Sequence, residues 1–128
     1  MARAQFAAEL SAARAVRRWL RDQLSSPALP APVQERVELL TTELVTNAVR
    51  HGSGPVAVEC DVRARAGGRA VRVAVADTSD ARPQLRHVAP EATGGRGVAL
   101  VDALSARWGV ERAGTHGKVV WFELDLPG

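Results

Sequence analysis

One segment of the chain carries three polar side chains whose types and spacing suit phosphate chemistry. Glu43, Asn47 and His51 follow one another at four-residue intervals. At about 100° per residue they lie within roughly 80° of one another on a helix, along one stripe. A carboxylate can accept a proton, and an amide oxygen is a ligand that Mg²⁺ prefers. The stripe therefore indicates a site for a hydrated metal and a phosphate group.

The apolar residues of the same segment place this polar stripe at the edge of a buried face. They form the neighbouring stripe of the helix, at Val33, Val37, Leu40, Leu44 and Ala48. A cleft would lie at such an edge. A purely structural alternative stays open, because Glu43 and Asn47 are also spaced as an ordinary i,i+4 pair and His51 would be favoured by the helix macrodipole.

An acidic residue ends one apolar segment further along the chain. Asp77 directly follows an alternating run of valine and alanine. A carboxylate at a strand end can face a cleft and accept a hydrogen bond from an amino group such as that of adenine. The alternative is that Asp77 only forms a turn.

A glycine-rich segment precedes the third predicted helix. Gly94, Gly95 and Gly97 surround Arg96, so the backbone can approach a ligand closely, and the amides at the helix N-terminus suit a phosphate. Arg96 would add a bidentate contact. The alternative is a glycine-rich hinge. The segment matches neither the GxGxxG pattern nor the P-loop pattern.

Helices are predicted from apolar residues that recur at steps of three and four. This spacing predicts helices over residues 6–24 and 33–51, and a short helix over 98–104. The polar face of the first helix carries four arginines, Arg14, Arg17, Arg18 and Arg21. They form either a solvated face or a docking surface for an acidic partner.

Strands are predicted where the apolar period changes to two. Residues 56–62 and 71–75 alternate, and a glycine turn at 66–69 predicts that they pair as an antiparallel hairpin. Two more strands are expected near 107–111 and 120–126. This order predicts one α+β domain over residues 1–128, a mixed or antiparallel sheet with helices packed on one face.

Composition excludes several classes of protein. Of the 128 residues, 46% are hydrophobic and 24% charged, which is typical of a globular domain rather than a disordered chain. The single cysteine, Cys60, lies in an alternating apolar run and is expected in the core. No apolar run is long enough for a membrane span and the first residues do not resemble a signal peptide, so we expect a cytoplasmic protein without a membrane partner. A net charge of +3 without a nucleic-acid motif does not favour direct nucleic-acid binding.

Taken together, these segments resemble the GHKL (Bergerat-fold) ATPases in their anti-sigma-factor serine/threonine kinase branch. The Glu43–Asn47–His51 segment resembles the N box, Asp77 the first residue of the G1 box, and residues 94–102 the G2 box. Trp108-Gly109 and residues 117–121 are similar to the closing strands of that branch. The resemblance extends over residues 6–126, and several boxes agree in order and spacing.

The resemblance implies a Bergerat-type two-layer sandwich that uses ATP and Mg²⁺. It implies that Asn47 ligates the metal, that Glu43 is the catalytic base and that Asp77 binds adenine. The other nucleotide-binding positions that it implies are His51, Gly95, Arg96, Gly97, Val98 and Thr115. Residues 78–93 would form the lid over ATP.

The resemblance also implies partners. The γ-phosphate would go to a serine of an anti-anti-sigma (STAS-type) protein, the same surface would alternately bind a sigma factor, and the protein would form a homodimer.

The chain departs from the family at the G1 box. The usual Asp-x-Gly-x-Gly reads Asp77-Thr78-Ser79-Asp80-Ala81 here, so both glycines are missing. An inactive module that keeps the fold for partner binding is therefore a second hypothesis. The detached catalytic domain of a two-component histidine kinase is a third, although no segment resembles a histidine-bearing dimerisation helix.

Overall fold

The structure is a computed structural model, which describes residues 1–25, 29–51, 54–77, 96–112 and 117–127. Five strands and three helices make up these ranges: β1 (Ala2–Phe6), α1 (Ala12–Gln23), α2 (Ala31–His51), β2 (Val56–Arg65), β3 (Gly68–Asp77), α3 (Arg96–Leu104), β4 (Arg107–Arg112) and β5 (Lys118–Asp125). None of the helices in these ranges is long and apolar enough to cross a membrane.

The strands form one sheet in the order β1-β2-β3-β5-β4, and each of the four pairings is antiparallel. The predicted β2–β3 hairpin is confirmed. Its two-residue turn ends at Gly67, whose φ of 83° is the left-handed conformation that favours glycine.

All three helices pack on one face of this sheet, as the α+β prediction required. Alternate strand residues such as Val58, Val73 and Phe122 are fully buried there against Val16, Leu20, Leu40 and Val101 of the helices. Cys60 is buried in the same core, as its alternating position predicted. Burial of these apolar side chains is the main apolar contribution to folding.

On the other face of the sheet, arginine side chains surround one carboxylate. Glu123 of β5 is only 1% exposed. It accepts hydrogen bonds from Arg65 Nε at 2.8 Å, Arg107 Nε at 2.9 Å and Arg72 Nη1 at 3.3 Å. The bond from Arg65, opposed by burial and reinforced by those from Arg107 and Arg72, lowers the pKa of the Glu123 carboxyl from 4.5 to about 2.

A tryptophan and a glycine pack together beside this cluster. The Arg72 guanidinium carbon lies 4.2 Å from the centre of the Trp121 ring, a cation–π contact. Gly109 is paired with Trp121 across β4 and β5, and a Cβ on Gly109 would lie 2.8 Å from three atoms of the indole. The absence of a side chain at residue 109 therefore leaves the space that the indole occupies.

The predicted first helix is wrong at its beginning. Residues 2–6 form β1, which pairs with β2, and the helix begins only at Ala12. Phe6 does reach the core, but it does so from a strand and contacts Trp19 edge-on, with 6.0 Å between ring centres. Leu10, which fitted the helical period, is 98% exposed. Pairing with the free edge of β2 overrides the alanine-rich sequence of this segment.

One arginine of the basic face of α1 has a structural role. Arg21 donates to both carboxylate oxygens of Glu38 on α2, at 2.9–3.1 Å, and Gln34 donates to Glu38 at 2.8 Å. Burial opposes ionisation of Glu38, but these bonds outweigh it and lower the pKa of the carboxyl. Arg21 therefore joins the two helices. The other three arginines of that face, Arg14, Arg17 and Arg18, are exposed.

We predict that Glu123→Gln destabilises the fold in a pH-dependent manner. The folded-state pKa lies below the unfolded-state value, so the stabilisation is complete above about pH 4.5 and is lost as the pH falls towards about 2. At neutral pH the free energy of unfolding should fall by about 3 kcal/mol, and the difference from wild type should shrink with acidification. Urea unfolding at several pH values measures both effects.

Glu111→Gln is the matched control for this change, because Glu111 is an exposed carboxylate on the same face of the sheet. It should shift the free energy of unfolding by less than about 0.5 kcal/mol. Equal effects of the two substitutions at all pH values would contradict the assigned role of Glu123.

We predict that Gly109→Ala destabilises the fold by about 1–3 kcal/mol, because the new methyl group must displace the indole of Trp121. Thermal unfolding measures the loss, and tryptophan fluorescence should report the displaced ring. Gly68→Ala is the control, since a Cβ there meets nothing within 4 Å. A Gly109→Ala variant as stable as Gly68→Ala would show that the indole does not need the space.

Candidate functional site

The polar stripe of α2 lies at the edge of the buried face, as its spacing predicted. Leu40, Leu44 and Ala48 are buried beneath the helix. Glu43 and Asn47 are partly exposed, between these buried positions and solvent. His51 is the last residue of α2, and its side chain lies outside the described part of the structure. The helix therefore presents a carboxylate and, one turn later, an amide at the boundary of the core.

The structural alternative for this stripe required a direct pair between Glu43 and Asn47. Among the described residues, neither the Glu43 carboxylate nor the Asn47 amide makes a hydrogen bond or an ion pair. The i,i+4 pair is thus not formed in this structure. Both groups supply oxygen atoms of the kind that a hard cation prefers.

Asp77 is the last residue of β3 and lies opposite the first residue of β5, Lys118. The Asp77 side chain is 5% exposed and that of Lys118 is 15% exposed. Lys118 Nζ lies 3.4 Å from Asp77 Oδ2. The predicted strand-terminal carboxylate is therefore buried beside a cation, where the neighbouring strands β3 and β5 meet at one end of the sheet.

The glycine-rich segment leads into α3, which begins at Arg96. Gly97 and Val98 lie in its first turn, where backbone N–H groups have no partner within the helix. The side chains of Arg96 and Val98 lie outside the described part, as do Gly94, Gly95 and Thr115 altogether. The structure thus confirms the short helix, which begins two residues before the predicted range of 98–104.

The relative directions of the helices and strands bring the end of α2, the end of β3 and the start of α3 to one end of the domain. A cavity at the opposite end is lined by Pro32 and Val33 near the start of α2, by Leu104 at the end of α3 and by Leu124 near the end of β5. The end of α2 therefore lies at the same end of the domain as the starts of α3 and β5.

Element lengths support this placement. From Val33 to Asn47 α2 rises about 21 Å at 1.5 Å per residue. From Leu124 back to Lys118 β5 extends about 20 Å at 3.3 Å per residue. Asn47 and Lys118 therefore lie at similar heights above the cavity, and Asp77 lies beside Lys118 through strand pairing. Asn47 and Asp77 thus lie toward the same end of the fold, with Glu43 one helical turn before Asn47.

Sequence reasoning assigned no role to Lys118, although it noted the segment that contains it. A signal was available, because Lys118 is the only lysine of the chain. Its meaning depended on the register of β3 with β5, which places it against Asp77.

Comparisons with known proteins agree with this architecture. The family model for the histidine kinase-like ATPase domain matches residues 6–124. The chain is similar to the crystal structure of the RsbU and RsbW domains of Rv1364c from Mycobacterium tuberculosis, with a TM-score of 0.70 and 24% identity over 98% of this chain and 33% of that one.

The chain is also similar to the histidine kinase domain of the blue-light activated histidine kinase from Erythrobacter litoralis EL346. The TM-score is 0.53 and the identity 28%, over 76% of this chain and 46% of that one. The chain thus spans a third and just under half of the lengths of these two solved chains. No significant match was found among curated proteins.

The family match extends over nearly the whole chain and includes α2, β3, α3 and β5, which carry the candidate site. This chain belongs to the family of histidine kinase-like ATPase domains.

Proposed function

We propose that this domain binds ATP with Mg²⁺ and acts as a protein serine kinase of the anti-sigma-factor type. The observation that carries the proposal is the stripe of α2, where Glu43 and Asn47 are partly exposed, one turn apart and without a hydrogen-bond partner among the described residues. Family membership supports nucleotide binding at the end of the fold that also holds Asp77.

Each residue receives a role that its chemistry can fulfil. The amide oxygen of Asn47 would hold Mg²⁺, which when bound neutralises charge on the ATP phosphates. The Glu43 carboxylate would accept the proton of the attacking serine hydroxyl. Asp77 would accept a hydrogen bond from the amino group of adenine. The remaining nucleotide contacts are proposed for His51, Gly95, Arg96, Gly97, Val98 and Thr115.

The proposed partners follow from the resemblance to anti-sigma-factor kinases. The serine would belong to a STAS-type anti-anti-sigma protein, a sigma factor would bind the same surface in alternation, and the kinase would act as a homodimer in the cytoplasm. The similarity in fold to the structure that contains an RsbW domain is compatible with this proposal.

A second candidate function is a module that binds partners without phosphoryl transfer. The altered G1 segment favours it, because Ser79 and Ala81 stand where the family has glycines. In that case substitutions at Glu43 and Asn47 would leave partner binding unchanged.

We predict that Asn47→Ala abolishes Mg²⁺-dependent binding of ATP without unfolding the domain, since the side chain is partly exposed and bonds to no described residue. Calorimetric titration with ATP, with and without Mg²⁺, measures this loss. Arg36→Ala is the control, as Arg36 is exposed nearer the start of the same helix. Unchanged Mg²⁺-dependent binding by Asn47→Ala would refute the metal role.

We predict that Glu43→Gln retains ATP binding but lowers phosphoryl transfer at least about 100-fold, because glutamine cannot accept the hydroxyl proton. Transfer of labelled γ-phosphate to purified STAS-type proteins is the readout. Glu35→Gln, at an exposed carboxylate of the same helix, should transfer normally. If neither the wild type nor any variant transfers phosphate although ATP binds, the binding-module hypothesis gains.

A further inference from the structure

A cavity of about 320 Å³ lies beside the turn between β2 and β3, and arginine side chains from three strands border it. Its lining consists of Arg65, Arg69, Arg107, Asp125, Leu126 and the turn residues 66–68. β5 ends at Asp125 and begins opposite Asp77, so the cavity lies at the other end of the sheet from the proposed nucleotide site.

The carboxylate shared by two of these arginines has no acceptor capacity left. Glu123 accepts hydrogen bonds from Arg65 Nε, Arg65 Nη2, Arg107 Nε and Arg72 Nη1. An ionised carboxylate offers about four lone-pair sites, and these four bonds fill them. The remaining N–H groups of the arginines therefore bond to water or to another acceptor.

Many N–H donors around the cavity have no acceptor in the described part of the chain. A guanidinium carries five N–H donors. Arg65 uses three of them, on Glu123 and on the carbonyl of Ala64, and Arg107 uses two, on Glu123 and Asp125. The exposed side chain of Arg69 bonds to no described residue. About ten N–H groups on the three lining arginines are thus left for water or a ligand.

The charges around the cavity do not balance. Four guanidinium groups, those of the three lining arginines and of Arg72, stand against two carboxylates, Glu123 and Asp125. The surplus of two positive charges matches a phosphate dianion. The planar fork of a guanidinium also suits phosphate, because it can donate two parallel hydrogen bonds to adjacent phosphate oxygens.

We propose that this cavity is a site for a phosphate group, bound by Arg69 and by the free N–H groups of Arg65 and Arg107. A volume of about 320 Å³ falls at the small end of small-molecule sites. It leaves space beside Leu126 for the organic part of a small phosphate monoester. We expect millimolar affinity, because ion pairs of partly exposed side chains are weak. The inference is independent of the proposed function, since it uses no residue of the nucleotide site.

Titration with inorganic phosphate, followed by NMR spectra of the arginine Nε–Hε groups, tests the site directly. The resonances of Arg65, Arg69 and Arg107 should shift saturably at millimolar phosphate, whereas sodium chloride at equal ionic strength should leave them in place. A second titration with glycerol 3-phosphate distinguishes two sources of the phosphate group. Tighter binding than that of inorganic phosphate indicates a monoester, and equal or weaker binding indicates the free ion.

Variants with opposite expected effects test the assigned contacts. Arg69→Met should weaken phosphate binding about tenfold, the effect of one charge-assisted hydrogen bond. Arg14→Met is the matched control, because it removes the same charge from an arginine of α1 that is exposed and bonds to no described residue. It should change the affinity less than about twofold. Asp125→Asn should strengthen binding about threefold, because it removes the carboxylate that competes for Arg107.

The outcomes that would overturn the proposal are specific to the cavity. One is the absence of a saturable shift of the three resonances with either phosphate compound. Another is equal weakening by Arg69→Met and Arg14→Met, since net charge alone would then explain the binding. Shifts confined to other arginines, such as Arg96, would assign the phosphate to the proposed nucleotide site instead. A protein that binds phosphate in the cavity but no ATP would refute the proposed function and leave this inference standing.

Discussion

The antiparallel pairing of β3 with β5 is the interaction on which the rest of this structure depends. Its register sets Val73 opposite Phe122 beneath the helices. On the other face it sets Arg72 opposite Glu123, and at the end of the strands it sets Asp77 opposite Lys118. Since side chains alternate between faces, a slip of one residue would move charged groups into the core and valines out of it. The register of β3 with β5 therefore sets the core, the ionic cluster around Glu123 and the position of the Asp77 carboxylate together.

The two faces of the sheet contribute to folding in different ways. The face beneath the helices buries apolar side chains. This burial stabilises the fold, but it is non-directional and does not by itself fix which residues pair between strands. The other face holds Glu123 among three arginines and lays Trp121 under Arg72. A buried ion pair adds less net stability than its contacts suggest, but loss of one partner leaves an uncompensated charge. This face consequently penalises any pairing that separates Glu123 from its arginines.

Two side chains of the candidate site are held in position by the packing of α2 but take no part in that packing through bonds of their own. Leu40, Leu44 and Ala48 anchor α2, while Glu43 and Asn47 on the same helix bond to no described residue. Asp77 is different, because it is buried and its charge is matched by Lys118. The helix thus supplies partly exposed oxygen atoms, and the sheet supplies a buried carboxylate beside a lysine.

The sequence by itself determined α2, the β2–β3 hairpin, the one-sided sheet and the stripe of Glu43 and Asn47, because each follows from local periodicity or a glycine turn. It misplaced the first segment, since the pairing of residues 2–6 with β2 depends on an edge distant in the chain. Tertiary structure alone decided that Glu123 gathers Arg65, Arg72 and Arg107 and that Lys118 meets Asp77. These contacts join residues up to 58 positions apart, and only strand order and register bring them together.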